Sequence, residues 1–177
     1  MVDQEKITEI FKKITVTSEH PVPIGGRCES KTFYQVTDLD EADLDTAAQY
    51  IAERLHKVIS PSKPDLFLRL PGGHTELATR LAKIYSELYL PSRNIQVETY
   101  QSTTISNGLG DKFRGKSSVL VTDVITTARS TLEAHAKATL RGIKVIAWAC
   151  LIDRTFGPGP VSVVAAFTGA PVTLLSN

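Results

Sequence analysis

The stretch Ser117–Ala134, SSVLVTDVITTARSTLEA, joins a strand pattern to a helix pattern through a polar turn. Its apolar run indicates a buried strand, the polar segment that follows carries Asp123, and a helical pattern begins near Ser130. A helix amino end placed after a strand offers unpaired backbone N–H groups and the positive end of the helix dipole. The stretch therefore predicts an anion site within an α/β fold.

The segments around this stretch repeat the same alternation of short apolar runs and helical patterns. The apolar runs are DLFLRL, IQVETY, SSVLVT and IKVIAWACLI. Strands that alternate with helices of this length form right-handed crossover units, which build a parallel sheet covered on both faces. The predicted fold class is α/β, with a central, mainly parallel sheet flanked by helices. VSVVAAF and PVTLL are predicted to add final strands, whose order the sequence does not give.

The amino-terminal part of the chain has a different pattern. Apolar residues at helical spacing predict an amphipathic helix from Gln4 to Ile14. Residues 20–36 are predicted to form a bent hairpin, and a second helix is predicted from Asp40 to Ile59, ending before Pro61. The predicted apolar stripe of that helix comprises Leu44, Ala47, Ala48, Ile51, Leu55 and Val58.

Length, charge and cysteine content restrict the class of protein. A chain of 177 residues is predicted to form one domain, and a net charge of +1 gives no overall field that favours nucleic acid or an anionic membrane. Two widely separated cysteines, Cys28 and Cys150, suit a reducing compartment, so a cytoplasmic location is expected. The longest apolar run, VIAWACLI, is too short to span a bilayer, and the amino terminus has no apolar signal core.

Two loops after predicted strands are candidate ligand sites, because ligands of open α/β sheets bind beyond the carboxyl ends of the strands. In RLPGGHTE, Gly72 and Gly73 allow the backbone to approach a ligand, although a plain tight turn explains the same pair. In TDVITTARST, the amides and hydroxyls of residues 126–130 suit one phosphate. Asp123 would repel that phosphate and instead suits sugar hydroxyls or a metal-bound water. The alternative is that Ser130 only caps the helix.

A competing motif precedes the same strand. The segment Gly110–Ser117, GDKFRGKS, fits the G-x-x-x-x-G-K-S pattern of a P-loop. A P-loop must open a helix, whereas Lys116 and Ser117 lead directly into the strand SVLVT. The match is therefore interpreted as accidental, and the segment as a basic turn.

The sequence VLVTDVITTARST resembles the phosphoribosyl pyrophosphate loop of the type I phosphoribosyltransferases. That loop has an apolar strand, two acidic residues, a Thr-Thr-Gly turn and a Ser or Thr. The likeness is greatest to orotate phosphoribosyltransferases, through the hairpin with Arg27, Ser30 and Tyr34, the loop RLPGG, and LIDRTFG, which is similar to a strand ending in Asp-Arg-x-x-Gly. The resemblance implies a single phosphoribosyltransferase-like domain over residues 1–177, with residues 1–38 as an amino-terminal hood.

The resemblance also implies a reaction, in which ribose 5-phosphate passes from phosphoribosyl pyrophosphate to a nucleobase in pyrimidine or nucleotide metabolism. By motif position it assigns the 5-phosphate to Thr126, Thr127, Ala128, Arg129 and Ser130, the ribose and catalysis to Asp123, the diphosphate to Arg69, Pro71, Gly72 and Gly73, and the base to Arg27 and Arg154. It implies Mg²⁺ held mainly by the ligand diphosphate, with no metal-ligating residue assigned. It further implies a homodimer, with neither a nucleic acid nor a membrane as partner.

Three departures from the family pattern weaken the expected catalysis. Thr122 stands in place of the first acidic residue, and Ala128 in place of the glycine. No Lys, Arg or His lies between Glu98 and Gly110, where the mobile loop of orotate enzymes carries Lys and His. The candidates for replacement charge are Lys112, Arg114, Lys116 and His74. Two functions therefore remain: a phosphoribosyltransferase with weak activity, or a non-catalytic relative that binds a phosphoribosyl ligand and acts as a regulator.

Overall fold

The computed structural model describes residues 2–24, 28–71, 76–100, 110–155, 159–170 and 172–174. Its helices are α1 (Gln4–Lys13), α2 (Glu41–Ile59), α3 (Leu77–Tyr89), the short α4 (Gly110–Lys112) and α5 (Arg129–Leu140). Its strands are β1 (Thr15–Pro23), β2 (Cys28–Tyr34), β3 (Leu66–Arg69), β4 (Gln96–Thr99), β5 (Ser117–Ile125), β6 (Lys144–Asp153), β7 (Val163–Thr168) and β8 (Thr173–Leu174).

The central sheet has five parallel strands in the order β4-β3-β5-β6-β7. The predicted α/β class and parallel sheet are confirmed, and β5 lies in the interior of the sheet. Successive side chains of β5 point to opposite faces, so Val119 and Val121 join the core under α2 and α3, while Leu120 joins the core that contains Ala134 of α5. Both faces of the sheet are therefore covered by helices.

The amino-terminal segment is part of the main core. Ile7, Ile10 and Phe11 of α1 are buried in the same cluster as α2, and the Phe11 ring stacks on Phe167 of β7 with centroids 5.1 Å apart. The predicted first helix is confirmed and ends one residue early, at Lys13. The predicted hairpin is also confirmed, and it begins earlier than expected, since β1 starts directly after α1. The last strand, β8, pairs with β2 and extends the hairpin instead of the central sheet.

Helix α2 follows its predicted course, with one error in the buried stripe. Val58 is 48% exposed, whereas Ile59 is buried. The stripe continues from Leu55 by a step of four residues to Ile59, because a step of three to Val58 rotates that side chain out of the contact with the sheet. The helix stops at Ser60, as predicted.

The segment GDKFRGKS does not form a P-loop. Only its first three residues are helical, Phe113 is buried against the sheet, and Lys116 is followed directly by β5. The interpretation as a basic turn is confirmed. Within the described residues, no helix combines the length and the apolar character needed to cross a membrane.

Candidate functional site

The turn between β5 and α5 lies at the carboxyl edge of the central sheet. Strand β5 continues to Ile125, three residues past its predicted end, so Asp123 lies within the strand and not after it. The extension is stabilised by parallel pairing with β6, which aligns Ile125 with Asp153. The Arg154 amide also donates to the Ile125 carbonyl at 2.8 Å. The turn itself is therefore short, comprising residues 126–128.

Ala128 is the N-cap of α5 and has a left-handed backbone, with φ 57° and ψ 3°. A side chain with a Cβ in this region costs about 1–2 kcal/mol, which glycine would avoid. Ala128 is the one non-glycine residue of the described chain with a positive φ, and it holds this conformation at an energetic cost. The Ala128 carbonyl accepts the first helical hydrogen bond, from Leu132 N at 2.7 Å.

The amino end of α5 has no side-chain cap. The alternative that Ser130 caps the helix is wrong, because Ser130 lies inside the first turn and Ala128 occupies the cap position. Thr127, Arg129 and Ser130 are exposed, and Thr126 is half-buried. Because the first amides of a helix lack carbonyl partners within it, this end offers N–H donors beside accessible hydroxyls. Such a set of donors suits an anion.

Two carboxylates lie beside this turn, on neighbouring strands. Asp123 Oδ1 accepts from Val124 N at 2.9 Å and from Thr122 Oγ1 at 3.3 Å. Asp153 Oδ1 accepts from the amide and hydroxyl of Thr155, at 2.9 and 2.7 Å. Burial raises the pKa of the Cys150 thiol well above its ordinary value, and the charges of Asp153 and Asp123 raise it further. The pattern LIDRTFG indicates only Arg154 as a site residue, because the position of Asp153 beside the turn depends on strand register.

Arg154 is buried and bonded to the hairpin. Its Nε donates to the Ala170 carbonyl at 2.7 Å, its Nη2 donates to Ser30 Oγ at 2.6 Å, and its guanidinium lies 5.3 Å from the centre of the Tyr34 ring. Burial lowers the pKa of Arg154. Arg154 therefore links β2 to the end of β6, and its contact with a base stays a prediction. Arg27 lies outside the described residues.

Arg69 ends β3 at the same edge of the sheet. The parallel register aligns it with Thr99 of β4 and Val121 of β5, and its Nη2 donates to Thr99 Oγ1 at 2.7 Å. Pro71 is exposed. The predicted diphosphate residues Gly72 and Gly73, and also His74, lie outside the described residues.

A groove of about 740 Å³ runs between α2 and α3. It reaches Arg69, but its lining includes no residue of the β5–α5 turn. Arg80 lies in this groove, 2.7 Å from Asp45 Oδ1 and 2.8 Å from Glu76 Oε2, so the groove carries charges of both signs. An anion is better suited to the turn, where the described donors are amides and hydroxyls.

Of the described cations that could replace the missing loop charge, one is paired with a carboxylate and two lie away from the candidate site. Lys112 Nζ lies 3.2 Å from Glu98 Oε1, close to the end of β4. Lys116 precedes β5, and nine residues of strand, about 30 Å, separate it from the turn. Arg114 lies at the same remote edge, since its side chain is within 3.1 Å of the position of a Cβ on Gly142. Neither Arg114 nor Lys116 can therefore reach the candidate site. Among the described residues, no group of three or more His, Cys, Asp or Glu side chains could hold a metal ion.

The fold is that of the type I phosphoribosyltransferases. Orotate phosphoribosyltransferase from Mycobacterium tuberculosis is similar, with a TM-score of 0.64 and 16% identity over 93% of this chain and 95% of that one. The orotate phosphoribosyltransferase from Aeropyrum pernix gives 0.62 and 19%, over 92% and 93% of the two chains. UMP synthase from Leishmania donovani gives 0.65 and 16% over 93% of this chain, which spans 36% of that protein. The sequence matches no protein-family model and no curated protein.

Proposed function

We propose that this protein is a phosphoribosyltransferase of the orotate type, with weak activity, that transfers ribose 5-phosphate from phosphoribosyl pyrophosphate to a nucleobase. The observation that carries the proposal is the uncapped amino end of α5, held beside Asp123 at the carboxyl end of the central strand. The similarity to solved orotate phosphoribosyltransferases supports it through the fold.

In the proposed reaction, a ring nitrogen of the base attacks the anomeric carbon and diphosphate leaves. The amides and hydroxyls of residues 126–130 hold the 5-phosphate and so fix the ribose. Asp123 accepts hydrogen bonds from the ribose hydroxyls, and its negative charge stabilises the positive charge that develops on the sugar ring. Arg69 lies at the same edge of the sheet, where its guanidinium suits the departing diphosphate.

Magnesium is part of the proposal and, when bound, would neutralise charge on the diphosphate. Two described carboxylates, Asp123 and Asp153, lie beside the turn, which is too few to enclose a metal ion. Such a site suits Mg²⁺, because this small ion keeps most of its waters and binds through substrate phosphates. A homodimeric state and a cytoplasmic site of action are also proposals.

A second candidate function is a non-catalytic protein that binds a phosphoribosyl ligand or nucleotide and acts as a regulator. The observation that favours it is the placement of the basic residues. Lys112 is paired with Glu98, and Arg114 and Lys116 lie at the opposite edge of the sheet. The described residues therefore supply little charge to stabilise a leaving diphosphate.

An assay of diphosphate release with phosphoribosyl pyrophosphate, Mg²⁺ and a panel of bases tests the proposal. Removing one preorganised donor from a charged transition state costs roughly 10²-fold in rate. We therefore expect orotate transfer at least about 10²-fold slower than in an enzyme with the loop Lys and His, together with readily measured ligand binding. Binding without release of diphosphate from any base would favour the second function, and orotidine monophosphate formation at ordinary enzyme rates would contradict the expected weakness.

A further inference from the structure

The amino edge of the central sheet, opposite the candidate site, is basic. Two turns that are distant in sequence meet there, residues 113–116 before β5 and residues 141–143 before β6. The segments preceding β3 and β4 add further cations. We call this surface the basic edge, and its members are Lys63, Arg93, Arg114, Lys116, Arg141 and Lys144. The sequence alone shows no such cluster, because the parallel sheet assembles it from four segments.

The backbone holds the two central turns of the basic edge in one arrangement. Gly115 N donates to the Gly142 carbonyl at 2.8 Å, and Lys144 N donates to the Lys116 carbonyl at 2.9 Å. Gly115 and Gly142 have φ of 78° and 77°, a conformation that glycine adopts without strain. Like charges carried on neighbouring turns repel one another, so the arrangement costs some stability in the absence of an anion. The backbone of the two turns that carry these cations is thus held in place before any negatively charged partner binds.

Most of the charge on the basic edge is not neutralised within the molecule. Arg93 is paired with Asp65, and Arg114 with Asp111 at 3.3 Å, a contact that is exposed on both sides and therefore weak. In the described part of the chain, four members have no ion pair: Lys63, Lys116, Arg141 and Lys144. The six cations and two carboxylates give a local charge of +4, which leaves −3 for the rest of a chain whose total is +1. The charges of Lys57 and Glu87, which lie in the last turns of α2 and α3, cancel and leave this sum unchanged.

The cations form a row, which fits a linear polyanion. The strand order β4-β3-β5-β6 places Arg93 and Lys63, each three residues before its strand, on the same edge as Lys116 and Lys144 at the starts of β5 and β6. With neighbouring strands ~4.8 Å apart, the row is about 14 Å long. One nucleic-acid strand carries a phosphate every ~3.4 Å of duplex axis, so the row matches about four phosphates. Three exposed apolar side chains, Val58, Leu88 and Leu140, lie in the last turns of α2, α3 and α5 at this edge, so the test includes an anionic membrane as the competing partner.

We propose that the basic edge is a binding surface for the phosphate backbone of a nucleic acid. The interaction is electrostatic and independent of base sequence. It is separate from the proposed transferase function, because the basic edge and the β5–α5 turn lie at opposite ends of the strands. Loss of one activity would therefore leave the other intact.

The test is fluorescence anisotropy of the full chain with a labelled 20-nucleotide RNA, single-stranded and as a duplex, between 50 and 200 mM salt. The variant K116E/K144E reverses two charges of the basic edge. The matched control, K6E/K12E, makes the same change on the exposed face of α1. Thermal unfolding of each variant confirms that it is folded. Vesicles with anionic lipid form a parallel arm.

The expected result is micromolar binding, with log K falling against log salt with a slope of about −3 to −4, as for roughly four phosphate contacts. K116E/K144E should lose at least about 10-fold in affinity and reduce that slope by about 2, while K6E/K12E stays near the unmodified protein. Absence of binding, equal loss in both variants, or binding to vesicles but not to RNA would each overturn the proposal.

Discussion

Helices α2 and α5 begin in opposite ways. The cap of α2 is Asp40, whose backbone is extended and whose Oδ1 accepts from Asp43 N at 2.7 Å. The cap of α5 is Ala128, which is left-handed and provides no side-chain acceptor. An aspartate cap stabilises a helix by about 1 kcal/mol, whereas a left-handed alanine costs about 1–2 kcal/mol. The two starts therefore differ by a few kcal/mol in local stability.

The difference indicates what each helix end does. α2 packs against the core along its whole length, and the carboxylate of its own cap residue accepts a hydrogen bond from an amide of its first turn. α5 has first-turn amides with no side-chain partner, at the carboxyl end of the central strand. The contrast supports the proposed anion site at α5, because that helix end is costly to build and lies where ligands of this fold class bind.

The largest expected effect concerns ligand binding at α5. Thr127→Glu puts a carboxylate on an exposed position of the turn, where two like charges about 4 Å apart repel by roughly 4 kcal/mol at an effective dielectric constant of 20. We expect at least about 10²-fold weaker binding of phosphoribosyl pyrophosphate in calorimetric titration, even after allowance for solvent screening. The matched control is Thr139→Glu, at the other end of α5, which should bind normally. Unchanged affinity of the Thr127 variant would show that the ligand sits elsewhere.

The next effect concerns the stability of α2. Asp40→Ala removes the cap, and the free energy of unfolding should fall by about 1 kcal/mol in urea titration. Ligand affinity should be unchanged, because this helix end carries its own acceptor. If the Asp40 variant also lost ligand binding, the two helix ends would not be separable in function.

A smaller effect, of opposite sign, is expected for glycine at the start of α5. Ala128→Gly relieves the left-handed strain, so the free energy of unfolding should rise by about 0.5–1 kcal/mol after the entropy cost of glycine. The matched control, Ala136→Gly, lies on the exposed face of the same helix and should lower it by about 0.5–1 kcal/mol. Equal losses in both variants would show that position 128 carries no strain.

The smallest expected effect is pH-dependent and concerns how α5 is held on the sheet. Trp148 Nε1 donates to His135 Nδ1 at 3.2 Å, and burial lowers the pKa of His135. The folded pKa is thus below the unfolded value of about 6.5, so the unfolded chain binds more protons in that interval. The contribution of His135 to the free energy of unfolding is therefore fully present above about pH 6.5 and is lost as the pH falls below that value. Fluorescence of Trp148, the single tryptophan, should report the loss of this bond.

The control for the pH effect is His135→Gln, which keeps an acceptor for the indole N–H but does not titrate. Urea unfolding between pH 7.5 and 5 should show a weaker pH dependence in this variant than in the unmodified protein. An identical dependence would show that the pH effect does not arise from His135.

Much of the fold could be predicted because the spacing of apolar residues along the sequence indicates which face of each helix or strand is buried. The alternation of strand and helix patterns predicts the parallel sheet. The strand pattern that directly follows Lys116 excludes a P-loop, because a P-loop lysine must open a helix, and this can be decided from neighbouring residues alone. The prediction was wrong at Val58 because Val58 and Ile59 are both apolar and adjacent, and either could continue the buried stripe of α2. The pairing of β8 with β2 depends on contacts between the two ends of the chain, which no local pattern contains.

The candidate site could be predicted only in part. The β5–α5 turn lies within one continuous segment, so its donors could be inferred from sequence. Asp153 beside Asp123, and Arg154 against Ser30, depend on strand register and on the packing of the hairpin. The basic edge shows the same limit, because its cations are distant in sequence and adjacent only in the sheet.

The most direct test of the central claim is a nuclear magnetic resonance titration of the backbone amides with phosphoribosyl pyrophosphate and Mg²⁺. The account predicts saturable shifts that are largest at residues 126–130, with Asp123 affected and the first turn of α2 unchanged. Repetition with ribose 5-phosphate should shift the same amides. Shifts confined to the α2–α3 groove or to the basic edge, with the amides of Thr126–Ser130 unmoved, would contradict it.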